Sequence, residues 1–148
     1  MIYVNKEDLE SEIQERLLNE SVALGIDKEL NDNDIVNDIE NKAIALVISY
    51  IAGKYDYETI FSKTQPIRNE VLVQIISRIV VYRCVRRNAA RKVPDDYITL
   101  YNDSITMLGK IQSGAIGLVN CPLIIKTNQD GQPISPISGN NRKSDYYI

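Results

Sequence analysis

The sequence predicts an all-α protein: a four-helix bundle-like domain followed by an extended C-terminal arm that can hold a short β-hairpin. Three observations predict it. Apolar residues recur at helical spacing in four separate segments. Residues that start and stop helices bracket these segments, with Asn5, Asp32 or Asn33, Pro66 and Pro94 at the starts and Gly53 and Gly114 at two of the ends. Strand and turn signals are confined to the stretch after Gly117.

Asn5 caps the first helix, which carries Leu9, Ile13 and Leu17 at i, i+4 and i+8 and ends near Asn19. Residues 20–31 form a connector anchored by Val22, Leu24 and Ile26, with Gly25 breaking any period. The second helix presents Ile35, Ile39, Ala43, Leu46 and Tyr50, its stripe widened by Val36, Val47 and Ile51, and Gly53 ends it. The segment YDYETIFSKTQ reads as a loop or short turn. Pro66 then suits the first turn of a third helix over Ile67–Ala89. That helix is apolar nearly all round from Val71 to Tyr82, the pattern of a central helix wrapped by its neighbours.

The fourth helix is the most sharply marked. Pro94 is tolerated at its start, and Asp95 and Asp96 favour the positive end of the helix dipole. Tyr97, Tyr101, Leu108 and Ile111 share a stripe with Ile98 and Ile105 beside it, and Gly114 is placed as a left-handed cap. Residues 1–118 are expected to form the helical domain and residues 119–148 the arm. In the arm, Leu123–Thr127 suits a strand and Asp130-Gly131 a hairpin turn, whereas residues 135–148 show no packing period and suit a segment that orders on binding.

A chain of 148 residues can bury a substantial core without metals or cross-links. Histidine is absent, which removes the commonest general base and the commonest zinc ligand. No carboxylate, lysine or tyrosine constellation replaces it, so no enzyme activity and no cofactor is expected. Cys84 and Cys121 lie far apart without metal-ligand spacing and read as small buried hydrophobes in a reducing compartment. The acidic run after Met1–Val4 argues against a signal peptide, and the apolar stretches 43–53 and 71–82 are too short to span a bilayer. A soluble intracellular product is expected.

Charge is segregated along the chain. Residues 1–62 hold 14 acids and 5 bases, and residues 63–148 hold 6 acids and 12 bases. Such polarity suits head-to-tail association, although solvated faces also produce it. The basic end of helix three, Arg83, Arg86, Arg87, Arg91 and Lys92 with Arg78 one or two turns earlier, is the main candidate for subunit or nucleic-acid contact. Asp32, Asp34 and Asp38 fail the spacing of a calcium loop and fit a helix N-terminus better. Asp95 with Asp96 and Asp56 with Glu58 could in principle do acid–base work, but nothing in the sequence beside them points to a substrate pocket, and TNQDGQP lacks the features of a phosphate loop. Tyr50, Tyr55, Tyr57, Tyr97 and Tyr101 fit either an aromatic interface or the rim of a core.

Several of these residues carry a resemblance. ISYIAGKY at 48–55, Pro66, Tyr82-Arg83, and then Tyr101-x6-Leu108-x2-Ile111-x2-Gly114-x3-Leu118 follow in that order. With Tyr3-Val4 and Asp8-Leu9 at the start and RKSDYYI at the close, this resembles the head–tail connector, or head-completion adaptor, proteins of long-tailed bacteriophages and prophages, in particular the phage Mu-like members. The loop YDYETIFSKTQ departs from the family's short proline-containing connection.

The resemblance implies a helical, non-enzymatic protein whose copies form a ring of about twelve subunits. That ring would lie under the portal protein at the head vertex, extend the DNA channel and dock a tail-side completion or terminator protein. It further implies a virion location, reached from the host cytoplasm during assembly, with no membrane partner. Arg83, Arg86 and Arg87 would meet N-terminal acids of a neighbour. Arg142, Lys143, Tyr146 and Tyr147 of the arm would enter a partner. The rival reading is a small helical nucleic-acid-binding regulator that uses Arg86, Arg87 and Arg91.

Overall fold

A computed structural model of the chain describes residues 1–22, 34–87 and 92–125. The fold is all-α, with six helices among these residues: α1 (Lys6–Glu10), α2 (Glu15–Val22), α3 (Asp34–Ile51), α4 (Tyr57–Ile60), α5 (Glu70–Arg87) and α6 (Asp95–Ser113). The long helices α3, α5 and α6 pack against one another, and α1 and α2 lie on α5. Leu72, Ile75, Ile76, Ile79 and Val80 of α5 are fully buried, so this helix is the centre of the core, as its all-round apolar sequence predicts.

The first expected helix is two. Asn5 caps α1 through a reciprocal box: the Asp8 amide donates to Asn5 Oδ1 at 2.9 Å and the Asn5 amide to Asp8 Oδ2 at 2.8 Å. The helix then stops at Ser11, whose hydroxyl turns back onto the Asp8 carbonyl at 2.7 Å. Acids at 10 and 12 also oppose the negative end of a helix dipole there. The interruption shifts the helical phase. Leu9 and Ile13 are buried as expected, but the next buried positions are Leu18 and Val22, and Leu17 lies at the rim.

Similar local corrections occur elsewhere. On α3 the buried line runs through Val36, Ala43, Val47 and Ile51, with Ile35, Leu46 and Tyr50 only partly covered. The segment 55–65 contains α4, capped by Asp56 and anchored by the fully buried Ile60. Helix α5 begins at Glu70 rather than near Pro66, because Asn69 supplies the cap: its Oδ1 accepts from the amides of Val71 at 3.1 Å and Leu72 at 3.3 Å. Pro94 is the N-cap of α6, and Gly114 closes that helix in the left-handed region at φ 82°.

From Leu118 to Ile124 the chain stays on the body. The amide of Leu118 donates to the Tyr55 hydroxyl at 2.9 Å, and Leu123 forms an isolated antiparallel bridge with Tyr55. Ala89 and residues 126–148, including the expected hairpin turn at Asp130-Gly131, lie outside the described residues.

Candidate functional site

The surface features that can carry function are arranged around α5. Its C-terminal end bears Arg83, Arg86 and Arg87, with Arg83 partly covered and the other two exposed. Arg83 and Arg87, one turn apart, line an open groove of about 420 Å³ whose opposite wall carries Asp34, Asp38 and Lys42 of α3 over Ile35 and Ile39. Lys42 is tied to Asp38 at 2.6 Å. Among the described residues neither Arg86 nor Arg87 makes an ion pair. Lys92 instead meets Asp95 at 3.8 Å at the start of α6. Arg91 lies outside the described residues, as do Arg142, Lys143, Tyr146 and Tyr147. One end of α5 thus presents cations that are free to meet an anionic partner.

The N-terminal half of α5 faces α1 and the turn that follows it, and part of the charge polarity of the sequence is used within the chain. The Arg68 guanidinium grips both oxygens of Asp8, with Nη2 to Oδ1 at 2.6 Å and Nη1 to Oδ2 at 3.2 Å. That partner raises the Arg68 pKa further above its usual value. Arg78 Nε donates to both Glu12 oxygens at 3.2 Å. Between α1 and α5 an open groove of about 360 Å³ is lined by Asp8, Glu12, Glu70, Gln74 and Ser77, among others. Ser77 is 1 % exposed, and its hydroxyl has no hydrogen-bond partner.

A third feature was not read from the sequence. Glu40, 0 % exposed in the middle of α3, accepts the amides of Ile2 at 2.8 Å, Tyr3 at 2.8 Å and Val4 at 3.0 Å. The N-terminal segment is thereby pinned to the bundle. The signal existed: Glu40 lies on the Val36–Ala43–Val47 line, and an acid on a buried face needs donors. Tyr3 extends the anchor. Its hydroxyl donates to the Ile67 carbonyl and accepts the Asn69 amide, both at 3.0 Å, and its ring meets Phe61 edge-on with centroids 4.8 Å apart. Burial raises the Tyr3 pKa to about 12, the Asn69 amide partly opposing.

The expected tyrosine set belongs to the core and its rim. Tyr55 is buried, and Tyr50, Tyr57, Tyr97 and Tyr101 pack partly covered against the core, with Tyr101 stacked on Tyr82 at 4.3 Å. Cys84 is buried and its thiol is pushed up to about 12 by desolvation, with the nearby Arg87 charge opposing. Burial also raises the Cys121 thiol. Among the described residues no group of three or more Cys, Asp or Glu side chains is placed to hold a metal ion. Nor is any helix among them long and apolar enough to cross a membrane.

Past α6 an apolar edge is exposed. Val119 is 73 % and Ile125 74 % exposed, and Leu123 and Ile124 are also open to solvent. The Asp56 amide donates to the Pro122 carbonyl at 2.9 Å and the Ile124 amide to the Lys54 carbonyl at 3.0 Å. This pattern turns the N–H and C=O of Leu123 away from Tyr55, toward the open side.

The described, hydrogen-bonded body and the family match cover nearly the same residues. Residues 3–122 match the family model described as "Bacteriophage Mu, Gp36". No curated protein matches the chain. The match begins at Tyr3, which is held by Glu40, and ends at Pro122, which is bonded to Asp56. Because it covers most of the chain, this protein belongs to the bacteriophage Mu Gp36 family.

Proposed function

We propose that the chain is a structural head–tail adaptor of a Mu-like phage particle, assembling as a non-enzymatic ring between portal and tail and lining the DNA channel. The observation that carries this reading is membership of a phage Mu family across residues 3–122, joined to the adaptor-like motifs of the sequence. The free cations Arg86 and Arg87 at one end of α5, and the apolar edge from Val119 to Ile125, are surfaces that suit protein partners. In this reading the partners are further copies of the chain, the portal protein and a tail-side completion or terminator protein, and the site of action is the head–tail junction.

The test is to mix the purified full-length chain with its portal and follow it by light scattering and electron microscopy. Ring-shaped adducts on the portal are expected. The Arg86→Glu, Arg87→Glu double variant should stay helical and form no rings. A chain that neither binds the portal nor enters particles refutes the adaptor role.

Contact with DNA through the same arginines is the second reading, favoured by the exposure of Arg86 and Arg87. Asp34 and Asp38 across the groove from Arg83 and Arg87 work against it, since they repel phosphates. DNA affinity that falls linearly with the logarithm of salt, and that is lost in the double variant, would favour this reading.

A further inference from the structure

Three features of the groove between α1 and α5 are not explained by the fold alone. Asp8, Glu12 and Glu70 line it, but only two guanidiniums, those of Arg68 and Arg78, are paired with these acids, leaving one negative charge in excess. Glu70 is the loosest of the three. Its side chain is 82 % exposed and, among the described residues, meets only Arg68, at 3.3 Å. At the same groove lies the Ser77 hydroxyl, buried and without a partner. A buried hydroxyl normally finds a partner, so an orphan beside an anionic groove suits a site completed by a donor from outside.

The same chain carries a fitting donor. Arg86 is exposed, and among the described residues it has no ion-pair or hydrogen-bond partner. It lies outside the groove in which Arg83 and Arg87 face Asp34 and Asp38. That second groove holds two carboxylates against three cations, an excess of one positive charge. The two grooves therefore carry opposite excess charge. Glu70 and Arg86 occupy the two ends of α5, which spans 18 residues, so about 24 Å separates them. A copy cannot satisfy its own acidic groove with its own Arg86. Another copy can.

We propose that the groove between α1 and α5 receives the Arg86 side chain of a second copy of this chain, its guanidinium lying between the Glu70 carboxylate and the Ser77 hydroxyl. Guanidinium carries donors only, so it matches both a carboxylate and an unsatisfied hydroxyl oxygen. The contact joins different patches on the two copies, and such heterologous contacts propagate head to tail until they close into a ring. The proposal deepens the adaptor reading, on which it rests for self-assembly, and names the contact.

Charge reversal on the full-length chain tests it, read by sedimentation velocity. Glu70→Lys and Arg86→Glu should each weaken self-association at least about tenfold while the circular dichroism spectrum stays helical. An equimolar mixture of the two variants should recover it, because each reversed residue then meets an opposite charge on the other copy. Should Glu70→Lys disturb the fold, Glu70→Gln is the substitute and should also weaken association. Ser77→Ala should weaken association several-fold without loss of helicity.

Variants that associate as the wild type does, or a mixture that recovers nothing, overturn the proposal. So does a wild-type chain that remains monomeric. Portal binding separates the two readings: a chain that binds portal but ignores both reversals loses this docking site alone. A chain that associates through the site yet ignores portal loses the adaptor role alone.

Discussion

The backbone amide of Tyr3 donates at 2.8 Å to Oε1 of Glu40, a carboxylate with no solvent exposure, and so ties the start of the chain to the middle of α3. Ile2 and Val4 donate to the same carboxylate, which is thus hydrogen-bonded three times by backbone. A buried charge is tolerated only with such compensation. The N-terminal segment accordingly acts as part of the core, and Tyr3 and Val4 are themselves buried.

Replacing Glu40 removes an acceptor but leaves buried donors behind. Glu40→Ala is expected to destabilise the fold by about 3–5 kcal/mol. Glu40→Gln is expected to cost less, about 2 kcal/mol, because one oxygen still accepts. Urea unfolding followed by circular dichroism measures both. A loss under 1 kcal/mol for the alanine variant would show that the clamp is not structural.

Tyr3 gives the fold an alkaline limit. Its pKa is raised from 10.0 to about 12 in the folded chain, so above pH 10 the folded state keeps a proton that the unfolded state has lost. This contribution is complete below pH 10 and disappears as pH rises through about 12, amounting to at most about 2–3 kcal/mol. Tyr3→Phe should cost about 1–2 kcal/mol at neutral pH, through the lost bonds to Ile67 and Asn69. It should also flatten the fall in stability over that alkaline window, which denaturation at a series of pH values would reveal.

Gly114 closes α6 at φ 82°, where an added Cβ would lie 3.5 Å from Lys54 Nζ, an ordinary contact. Space is therefore not the constraint; backbone conformation is. Gly114→Ala should cost about 1 kcal/mol, and Gly114→Asn less, since asparagine tolerates the left-handed region. Equal unfolding midpoints for glycine and alanine would contradict this assignment.

Ser77 behaves oppositely in the isolated subunit. With its hydroxyl buried and unpartnered, Ser77→Ala should leave the stability of the monomer unchanged or raise it by up to about 1 kcal/mol. Thermal unfolding under dissociating conditions checks this. A clear loss would mean that the hydroxyl has a structural partner after all.

The Cys84 thiol, raised to about 12 by burial, stays protonated at pH 8 and is a poor nucleophile there. Cys121 is less deeply covered. A thiol reagent should therefore modify Cys121 first and reach Cys84 only at the rate of unfolding, as mass spectrometry of timed samples would show.

Much of the architecture was legible because its causes are local. Asn5 and Asp8 are three residues apart and make their box without help from the rest of the chain. Gly114 needs only its own backbone, and the apolar run of α5 needs only its own composition to announce a central helix. The basic end of α5 was equally visible, since its arginines are close in sequence.

What spacing does not encode is which distant group will answer a given side chain. Pairing Arg68 with Asp8 and Arg78 with Glu12 joins residues sixty or more positions apart. The break between α1 and α2 and the later start of α5 have local causes instead: the Ser11 hydroxyl turns back onto the Asp8 carbonyl, and Asn69 caps α5 in place of a start near Pro66. By itself, then, the sequence determined the all-α class, the central helix and the caps at Asn5 and Gly114, because hydrogen bonds and burial of near neighbours decide them. Only the tertiary structure decided the burial of Glu40, the orphaning of Ser77 and the two oppositely charged grooves, because each depends on surfaces that meet only after the chain has packed.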